Sequence, residues 1–222
     1  MPKAPSKNEI DTLLKYYQSK NYIKTKKYAL FLTEHFPDHN FAWKILNIVL
    51  QKTGQISESL NVIKKIIHIT PQDPYAHYNL GNTYGQLREF LKAEESYRKA
   101  ISLKPNFAEA YYNLGTILKN FKLEEAENCY RQAISLKQDF VEAYINLGIV
   151  LENLGKINEA EIYFKKVIVL KPNYAEAFHN LGNNLEQQGK FKDAQMNFEK
   201  AIIINPGLTD AHRQLSSIKK FD

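Results

Sequence analysis

A short segment of the chain returns at almost constant spacing, and this repetition limits the possible folds more than any other feature. The segment ends in Asn-Leu-Gly each time. Its glycines are Gly81, Gly115, Gly148 and Gly182, so the spacings are 34, 33 and 34 residues. A period of this length is typical of stacked helical hairpins, in which each repeat buries its apolar face against its neighbours. The sequence therefore predicts an all-α array that offers a binding surface, not a single globular core.

The boundaries of the predicted units follow from the same period. Residues 1–39 keep a weaker helical spacing of apolar residues, such as Ile10, Leu13, Leu14 and Tyr17, and form a degenerate first hairpin. Residues 209–222 are expected to form a capping helix, in which Leu215, Ile218 and Phe221 supply the apolar side chains. The five full repeats between them are predicted at 40–73, 74–107, 108–140, 141–174 and 175–208.

The turn inside each hairpin also has a pattern. Gly54, Gly155 and Gly189 lie at equivalent positions, where a residue usually takes a positive φ to end the first helix, and Arg88 replaces the glycine in its repeat. The repeat 108–140 is one residue short, and the alignment places the deletion in the turn between its helices. We expect this repeat to be the least regular of the array.

The net charge of +6 is concentrated in the first third of the chain. Residues 1–73 contain 11 lysines, no arginine and six acidic residues. A nucleic-acid-binding surface would be expected to show a continuous basic stripe rich in arginine, so nucleic acid is not an expected partner. Two interpretations of these lysines stay open: a basic face that is only solvated, and a binding site for an anionic partner. The lysines in question include Lys3, Lys7, Lys15, Lys20, Lys24, Lys26 and Lys27.

Cysteine usage and hydropathy suggest a location for the chain. Cys129 has no partner for an internal disulfide, and the first thirty residues contain no apolar run typical of a signal peptide or a membrane span. We therefore expect a cytoplasmic setting and no membrane contact. Cys129 itself is predicted to be a small buried residue of a second helix.

Several residues at fixed distances resemble the tetratricopeptide repeat. An alanine lies twelve residues after the glycine of Leu-Gly, an aromatic residue lies four residues after that alanine, and a small residue lies three residues further on. A proline often closes the unit. The resemblance implies a right-handed superhelix whose concave wall is formed by the first helices. The glycines are expected to let the backbone of the second helix come close. Asn47 and Ser59 depart from the pattern. The residues that carry it are Ala93, Ala160 and Ala194, Tyr97, Phe164 and Phe198, and Ala100, Val167 and Ala201.

The asparagine before each Leu-Gly points to a narrower resemblance. Its recurrence is similar to the asparagine ladder in the repeat domain of O-linked N-acetylglucosamine transferases. The segment Phe-Pro-Asp-His-Asn-Phe-Ala-Trp and the residues around Ala211 and Lys219 also resemble the leading modules of bacterial proteins that continue into a glycosyltransferase, methyltransferase or sulfotransferase domain. The four asparagines are Asn79, Asn113, Asn146 and Asn180.

The candidate binding residues are those that the resemblance places on the concave wall. Asparagine amides supply both donors and an acceptor, so a row of them suits the backbone of an extended peptide while aromatic rings take its side chains. The alternative, that each asparagine bonds a neighbouring helix and only spaces the repeats, stays open. The predicted peptide-binding residues are Tyr75, Tyr78, Asn79, Asn82, Tyr112, Asn113, Asn146, His179, Asn180, Asn183 and Arg213.

Catalysis has little support in the sequence. His35 and His39 are separated by a proline that breaks the helix, and no phosphate loop, nucleophile elbow or metal-ligand spacing is present. The sequence therefore predicts a non-catalytic scaffold without cofactor or metal, whose partner is a protein or an extended peptide. The alternative is a substrate-recruiting or oligomerising module of a larger glycosyl- or sulfotransferase. Self-association is a third role to be tested.

Overall fold

A computed structural model describes residues 4–218, which contain thirteen α-helices and no strand. Lys3, Lys219, Lys220 and Phe221 lie outside the described residues. The helices are α1 (Lys7–Gln18), α2 (Tyr22–His35), α3 (Asn40–Lys52), α4 (Ile56–Ile69), α5 (Pro74–Gln86), α6 (Phe90–Leu103), α7 (Ala108–Leu118), α8 (Leu123–Leu136), α9 (Val141–Asn153), α10 (Ile157–Leu170), α11 (Ala175–Gln187), α12 (Phe191–Ile204) and α13 (Thr209–Ile218).

The chain divides into two compact units between Ala110 and Tyr111, within α7. In the first unit each helix from α1 to α5 packs against the next one, and α5 packs most extensively against α6. In the second unit the same sequential packing runs from α8 to α13. Each unit is therefore a row of helical hairpins, as the period predicts.

The turn within each hairpin has the backbone conformation expected from its glycine. Gly54, Gly155 and Gly189 have φ values of 74°, 74° and 73°. Arg88 takes the same left-handed conformation with φ 60°, and Lys20 does so in the first hairpin with φ 56°. Since a side chain disfavours this region, the two non-glycine turns carry some backbone strain.

The Leu-Gly glycines are required by an aromatic ring and not by a close backbone. A Cβ at Gly182 would lie 2.5 Å from Cε1 of Phe198, and one at Gly148 would lie 2.5 Å from Cε1 of Phe164. The ring from the second helix thus packs directly against the first helix at the glycine. This corrects the expectation that the glycine admits the second helix's backbone. The rings of Tyr97, Tyr130, Phe164 and Phe198 are all almost completely buried.

The hairpin of α3 and α4 has a polar pair in place of the glycine and alanine. Ser59 Oγ donates a hydrogen bond of 2.7 Å to Asn47 Oδ1, and both residues are buried. The two departures from the repeat pattern therefore satisfy each other, as buried polar groups must.

The repeat 108–140 is one residue short as predicted, but the prediction that the turn is shortened was wrong. Four residues separate α7 from α8, against three between α5 and α6, and it is α7 that is shorter. Helix α7 has 11 residues, whereas α5, α9 and α11 have 13 each. The turn that follows, from Lys119 to Lys122, contains no described residue with positive φ. Its chain reversal is instead made by hydrogen bonds from the amides of Phe121 and Lys122 to the carbonyl of Leu118.

Helix α13 covers the last hairpin through its packing against α12. Ala211 and Ile218 are buried, and Leu215 is half-buried. The described part of the predicted capping helix therefore has the apolar face expected of it.

Candidate functional site

The predicted aromatic residues of the first unit form a cluster with the loop that follows α6. The ring of Phe107 lies 4.8 Å from that of Tyr78 and 5.1 Å from that of Tyr75, measured between centroids. The Lys104 ammonium is 4.6 Å from the centre of the Tyr75 ring and donates a 2.6 Å hydrogen bond to its hydroxyl. Tyr75 is 52% exposed, so part of this cluster remains open to solvent.

The two predicted asparagines of the first unit differ in their surroundings. Asn82 Oδ1 accepts a hydrogen bond of 2.8 Å from the hydroxyl of Tyr97, which lies on the second helix of the same hairpin. Tyr78 also contacts Tyr97, with ring centroids 6.0 Å apart. Both residues were predicted to lie on the concave wall, where a side chain faces away from the second helix, and both instead contact the second helix of their own hairpin. Asn79 is half-buried beside them.

The second unit repeats this arrangement around Tyr112. Its ring lies 4.8 Å from Phe140 and 5.9 Å from Tyr130. The Asn146 amide donates a 3.2 Å hydrogen bond to the Tyr112 hydroxyl, so it joins the first helices of two successive repeats. Asn113 is half-buried. At this joint an asparagine makes the kind of contact that spaces repeats.

The last full repeat places two unpartnered polar atoms close together. His179 and Asn183 are one turn apart on α11, and His179 Nε2 and Asn183 Oδ1 are buried without a hydrogen-bond partner among the described residues. Burial lowers the pKa of His179, because it disfavours the charged imidazolium. The negative charge of Asp210 raises this pKa, and the positive charge of Arg213 lowers it further. Asn180 is half-buried on the same helix.

Two acidic residues at the starts of helices, Glu142 on α9 and Asp210 on α13, form ion pairs. Arg213 is exposed and lies 2.7 Å from Asp210, and Lys171 lies 3.8 Å from Glu142. Exposed pairs of this kind contribute little to stability, so these side chains can reorient toward a ligand at small cost.

A lysine and an aromatic residue in the loops after α6, α8 and α10 were missed by the sequence analysis. Each lysine ammonium lies over the ring three residues later, at 4.7, 4.7 and 5.7 Å from its centre, which is within the range of a cation–π contact. The signal was present as a recurring Lys-x-x-aromatic sequence. The pairs are Lys104 with Phe107, Lys137 with Phe140 and Lys171 with Tyr174.

Three side chains at one repeat position have a shared structural role. The Trp43 indole and the His77 and His212 imidazoles each contact the carbonyl of the residue six positions earlier, which is a proline in every case, at 2.9 to 3.0 Å. Residues 4–218 contain no cluster of three His, Cys, Asp or Glu side chains that could hold a metal ion. Within the same range no helix combines the length and apolarity needed to cross a bilayer.

Family comparisons agree with the hairpin geometry. Family models described as tetratricopeptide repeat or TPR repeat match residues 74–107, 96–126, 122–155, 141–174 and 175–208, and so cover the chain without a gap from 74 to 208. The chain belongs to the tetratricopeptide repeat family.

Curated relatives with similar repeats are much longer proteins. The chain is 31% identical over 125 residues to the human protein O-mannosyl-transferase TMTC3, a match that covers 48% of the chain and 14% of the relative. It is 37% identical over 79 residues to human protein O-mannosyl-transferase TMTC1, covering 34% of the chain and 9% of that protein. The chain thus spans less than one sixth of each of these relatives.

Solved structures of other tetratricopeptide repeat proteins have the same fold. YrrB, described as a TPR protein with an unusual peptide-binding site, superposes with a TM-score of 0.72 at 24% identity, covering 84% of this chain and 96% of its own. MamA superposes with a TM-score of 0.69 at 26% identity, covering 72% and 95%. A chain of the Cut9–Hcn1 hetero-tetramer of the APC/C gives 0.73 at 16% identity, covering 95% and 42%.

Proposed function

We propose that this tetratricopeptide repeat protein is a non-catalytic scaffold that binds extended protein segments on the face formed by the first helices of its repeats. In the first unit the surface consists of Tyr75, Tyr78, Asn79 and Asn82. In the second unit it consists of Tyr112, Asn113, Asn146, His179, Asn180, Asn183 and Arg213.

The observation that carries this proposal is the recurrence of half-buried amides beside packed aromatic rings. Asn79, Asn113, Asn146 and Asn180 are each partly accessible and none is sealed inside the hairpins. An amide held in place and still accessible can pair with a peptide backbone, whose donors and acceptors do not depend on its sequence. The neighbouring rings offer apolar area at low entropic cost.

The fold comparison supports the same function at a coarser level. YrrB shares the hairpin fold and is described as having a peptide-binding site. Tetratricopeptide repeats without a metal cluster or phosphate loop have no obvious means of catalysis, so a binding role is the simplest use of the surface.

A peptide array probed with the labelled protein tests this proposal. The affinity of each peptide that binds is then measured by fluorescence anisotropy for the wild type and for Asn79→Ala and Asn180→Ala. Asn153→Ala, which changes an exposed asparagine at the end of α9, is the matched control. We expect the first two variants to weaken binding by about fivefold, the loss of one hydrogen bond, and the control to bind normally. Unchanged binding by both variants, together with a large drop in Tm, would assign the asparagines to spacing the repeats.

A second candidate is favoured by one observation, the 31% identity to a protein O-mannosyl-transferase over 48% of the chain. In this function the repeats recruit a substrate polypeptide for a transferase domain of the same protein. Mass spectrometry of the natural gene product tests it. A mass close to the 25.8 kDa of this sequence would remove the candidate.

Self-association is a third role that the same surface allows. Light scattering at several concentrations tests it, and a molar mass that stays constant at the monomer value would exclude it.

A further inference from the structure

The groove between α1 and α2 has an aromatic floor and a cationic rim. It forms a pocket of ≈ 400 Å³ lined by Tyr16, Lys24, Lys27, Tyr28 and Phe31. Tyr28 stacks on Phe31 with ring centroids 5.8 Å apart, and Tyr16 meets Tyr28 edge-on at 5.9 Å. Phe31 is 41% exposed although it belongs to this cluster. Three rings are therefore held in a fixed arrangement that remains accessible from solvent.

The equivalent groove of another repeat has a polar residue at three of these positions. Between α5 and α6 a pocket of ≈ 720 Å³ is lined at the same repeat positions by Glu95, Ser96 and Lys99. These residues correspond to Lys27, Tyr28 and Phe31 of the first hairpin. Both hairpins thus have this groove, and the second one keeps Tyr84 and Lys92 at the positions of Tyr16 and Lys24. What it lacks is the stacked pair of rings that Tyr28 and Phe31 form in the first hairpin.

The remaining repeats confirm that the first hairpin differs. The position of Phe31 is polar in every other repeat, and the position of Lys24 is acidic in four of the five. A residue that only faces solvent would not require an aromatic ring, so the lining points to contact with another molecule. The equivalents of Phe31 are Lys65, Lys99, Gln132, Lys166 and Lys200. The equivalents of Lys24 are Glu58, Lys92, Glu125, Glu159 and Asp193.

The positive charges of this groove are not neutralised from within. Lys24 and Lys27 are exposed, and neither makes an ion pair with any residue between 4 and 218. Lys26, which faces elsewhere, is paired with Glu58 at 2.8 Å. Glu9 lies near Tyr28 on the α1 side, but its carboxylate already accepts two hydrogen bonds of 2.7 Å from Ser6. The rim therefore favours an anionic ligand.

From this combination we infer that the α1–α2 groove binds an acidic segment of a partner protein that carries one aromatic or large aliphatic side chain. The apolar side chain packs against the rings of Tyr28 and Phe31, and the flanking carboxylates pair with Lys24 and Lys27. Charge complementarity selects this partner over a basic or purely apolar segment. The groove is separate from the first-helix surface proposed above, so either function can fail without the other.

Fluorescence anisotropy with short labelled peptides tests the inference on the full chain. The probe has one phenylalanine between two pairs of glutamates; one comparison peptide replaces the phenylalanine by alanine, and another replaces the glutamates by glutamines. The test variants are Phe31→Gln, which copies Gln132, and the double variant Lys24→Glu with Lys27→Glu. The matched controls are Leu30→Gln, a residue on α2 that is 40% exposed and outside this groove, and Lys52→Glu with Lys64→Glu, which makes the same change of net charge.

We expect the parent peptide to bind at least about tenfold more tightly than either comparison peptide, a factor that corresponds to one well-placed contact. Phe31→Gln should abolish the preference for phenylalanine, the Lys24 and Lys27 double variant should abolish the preference for glutamate, and both controls should retain the two preferences. Equal losses in test and control variants would leave only non-specific charge attraction and overturn the inference. Tighter binding of a ten-residue uridine oligonucleotide, or a mass that doubles with concentration in the wild type but not in Phe31→Gln, would replace the acidic peptide by RNA or by a second copy and would likewise overturn it.

Discussion

The hydroxyl of Tyr97 donates a 2.8 Å hydrogen bond to Asn82 Oδ1, whereas Phe198 offers no hydroxyl to the equivalent Asn183. The two hairpins are otherwise alike, since each aromatic ring covers the Leu-Gly glycine of its own first helix. Asn183 Oδ1 therefore lacks a partner because Phe198 on α12 has no hydroxyl oxygen.

Adding that atom should stabilise the second unit. We expect Phe198→Tyr to raise the free energy of unfolding by about 1 kcal/mol, the contribution of a typical intramolecular hydrogen bond. Phe164→Tyr is the matched control, because the residue at the repeat position of Asn183 is Ile149, which cannot accept a hydrogen bond, and the new hydroxyl should lower stability. Urea denaturation of both variants measures the difference. A loss of stability in both would mean that no room exists beside Asn183.

The close contact of glycine and ring predicts a graded series of alanine variants. A Cβ at Gly182 would lie 2.5 Å from the Phe198 ring, but one at Gly115 would lie 3.0 Å from the Tyr130 ring. Overpacking of about 1–3 kcal/mol is partly offset by the better helix propensity of alanine, about 1 kcal/mol. We expect Gly182→Ala to lose about 1–2 kcal/mol and Gly115→Ala to lose less, as measured by chemical denaturation. Adding Phe198→Leu should restore part of the loss at Gly182, and no recovery would argue against the ring as its cause.

A carboxylate on α10 should make the second unit sensitive to acid. Glu161 lies 2.5 Å from Lys165, 2.8 Å from Gln188 and 3.2 Å from Lys190. Hydrogen bonds from Lys165 and then Gln188 lower the pKa of Glu161 from 4.5 to about 2. Because the folded pKa is the lower one, the stabilisation is complete above the unfolded pKa and is lost as the pH falls toward 2.

We therefore expect Glu161→Gln to lower the free energy of unfolding by about 0.5–1 kcal/mol at pH 7, and the gap to wild type to close between pH 4.5 and pH 2. Urea titrations at pH 7, 4 and 2.5 measure it. Glu142→Gln removes a more exposed carboxylate at 3.8 Å from its lysine and should change stability little. A gap at Glu161 that is the same at all three pH values would contradict this account.

Backbone strain at the hairpin turn predicts a stabilising variant. Arg88 is exposed and has φ 60°, a conformation that costs a residue with a side chain about 1–2 kcal/mol. Because glycine also loses more entropy on folding, Arg88→Gly should gain only about 0.5–1 kcal/mol. Gly155→Ala is the converse test, since no atom lies within 4 Å of the new Cβ and any loss must come from the backbone. Thermal unfolding of the two variants should give shifts of opposite sign.

Much of the fold could be predicted because each repeat is local in sequence. Gly54, Gly155 and Gly189 mark the turns, and the spacing of alanine and aromatic residues fixes which faces meet. The same periodicity identified the repeat 108–140 as one residue short, although it assigned the missing residue to the turn and not to α7. Which residues share one face of a helix follows from helix geometry alone.

The details of the candidate site required coordinates. The partner of Asn82 is fifteen residues away on another helix, and the partner of Asn146 is in the preceding repeat. Periodicity assigns a face to each side chain, but it does not decide whether a polar atom there bonds the protein or remains available. The sequence analysis did not single out Phe31, because the exposure of its ring depends on how the first hairpin packs.

The buried hydrogen bond between Ser59 and Asn47 has a consequence for recombining these repeats in engineered arrays. Replacing only Asn47 by glycine, or only Ser59 by alanine, would leave the other polar side chain buried without a hydrogen-bond partner. The hairpin would lose stability as a result. Both residues must therefore be kept, or both replaced, whenever this hairpin is moved into another array.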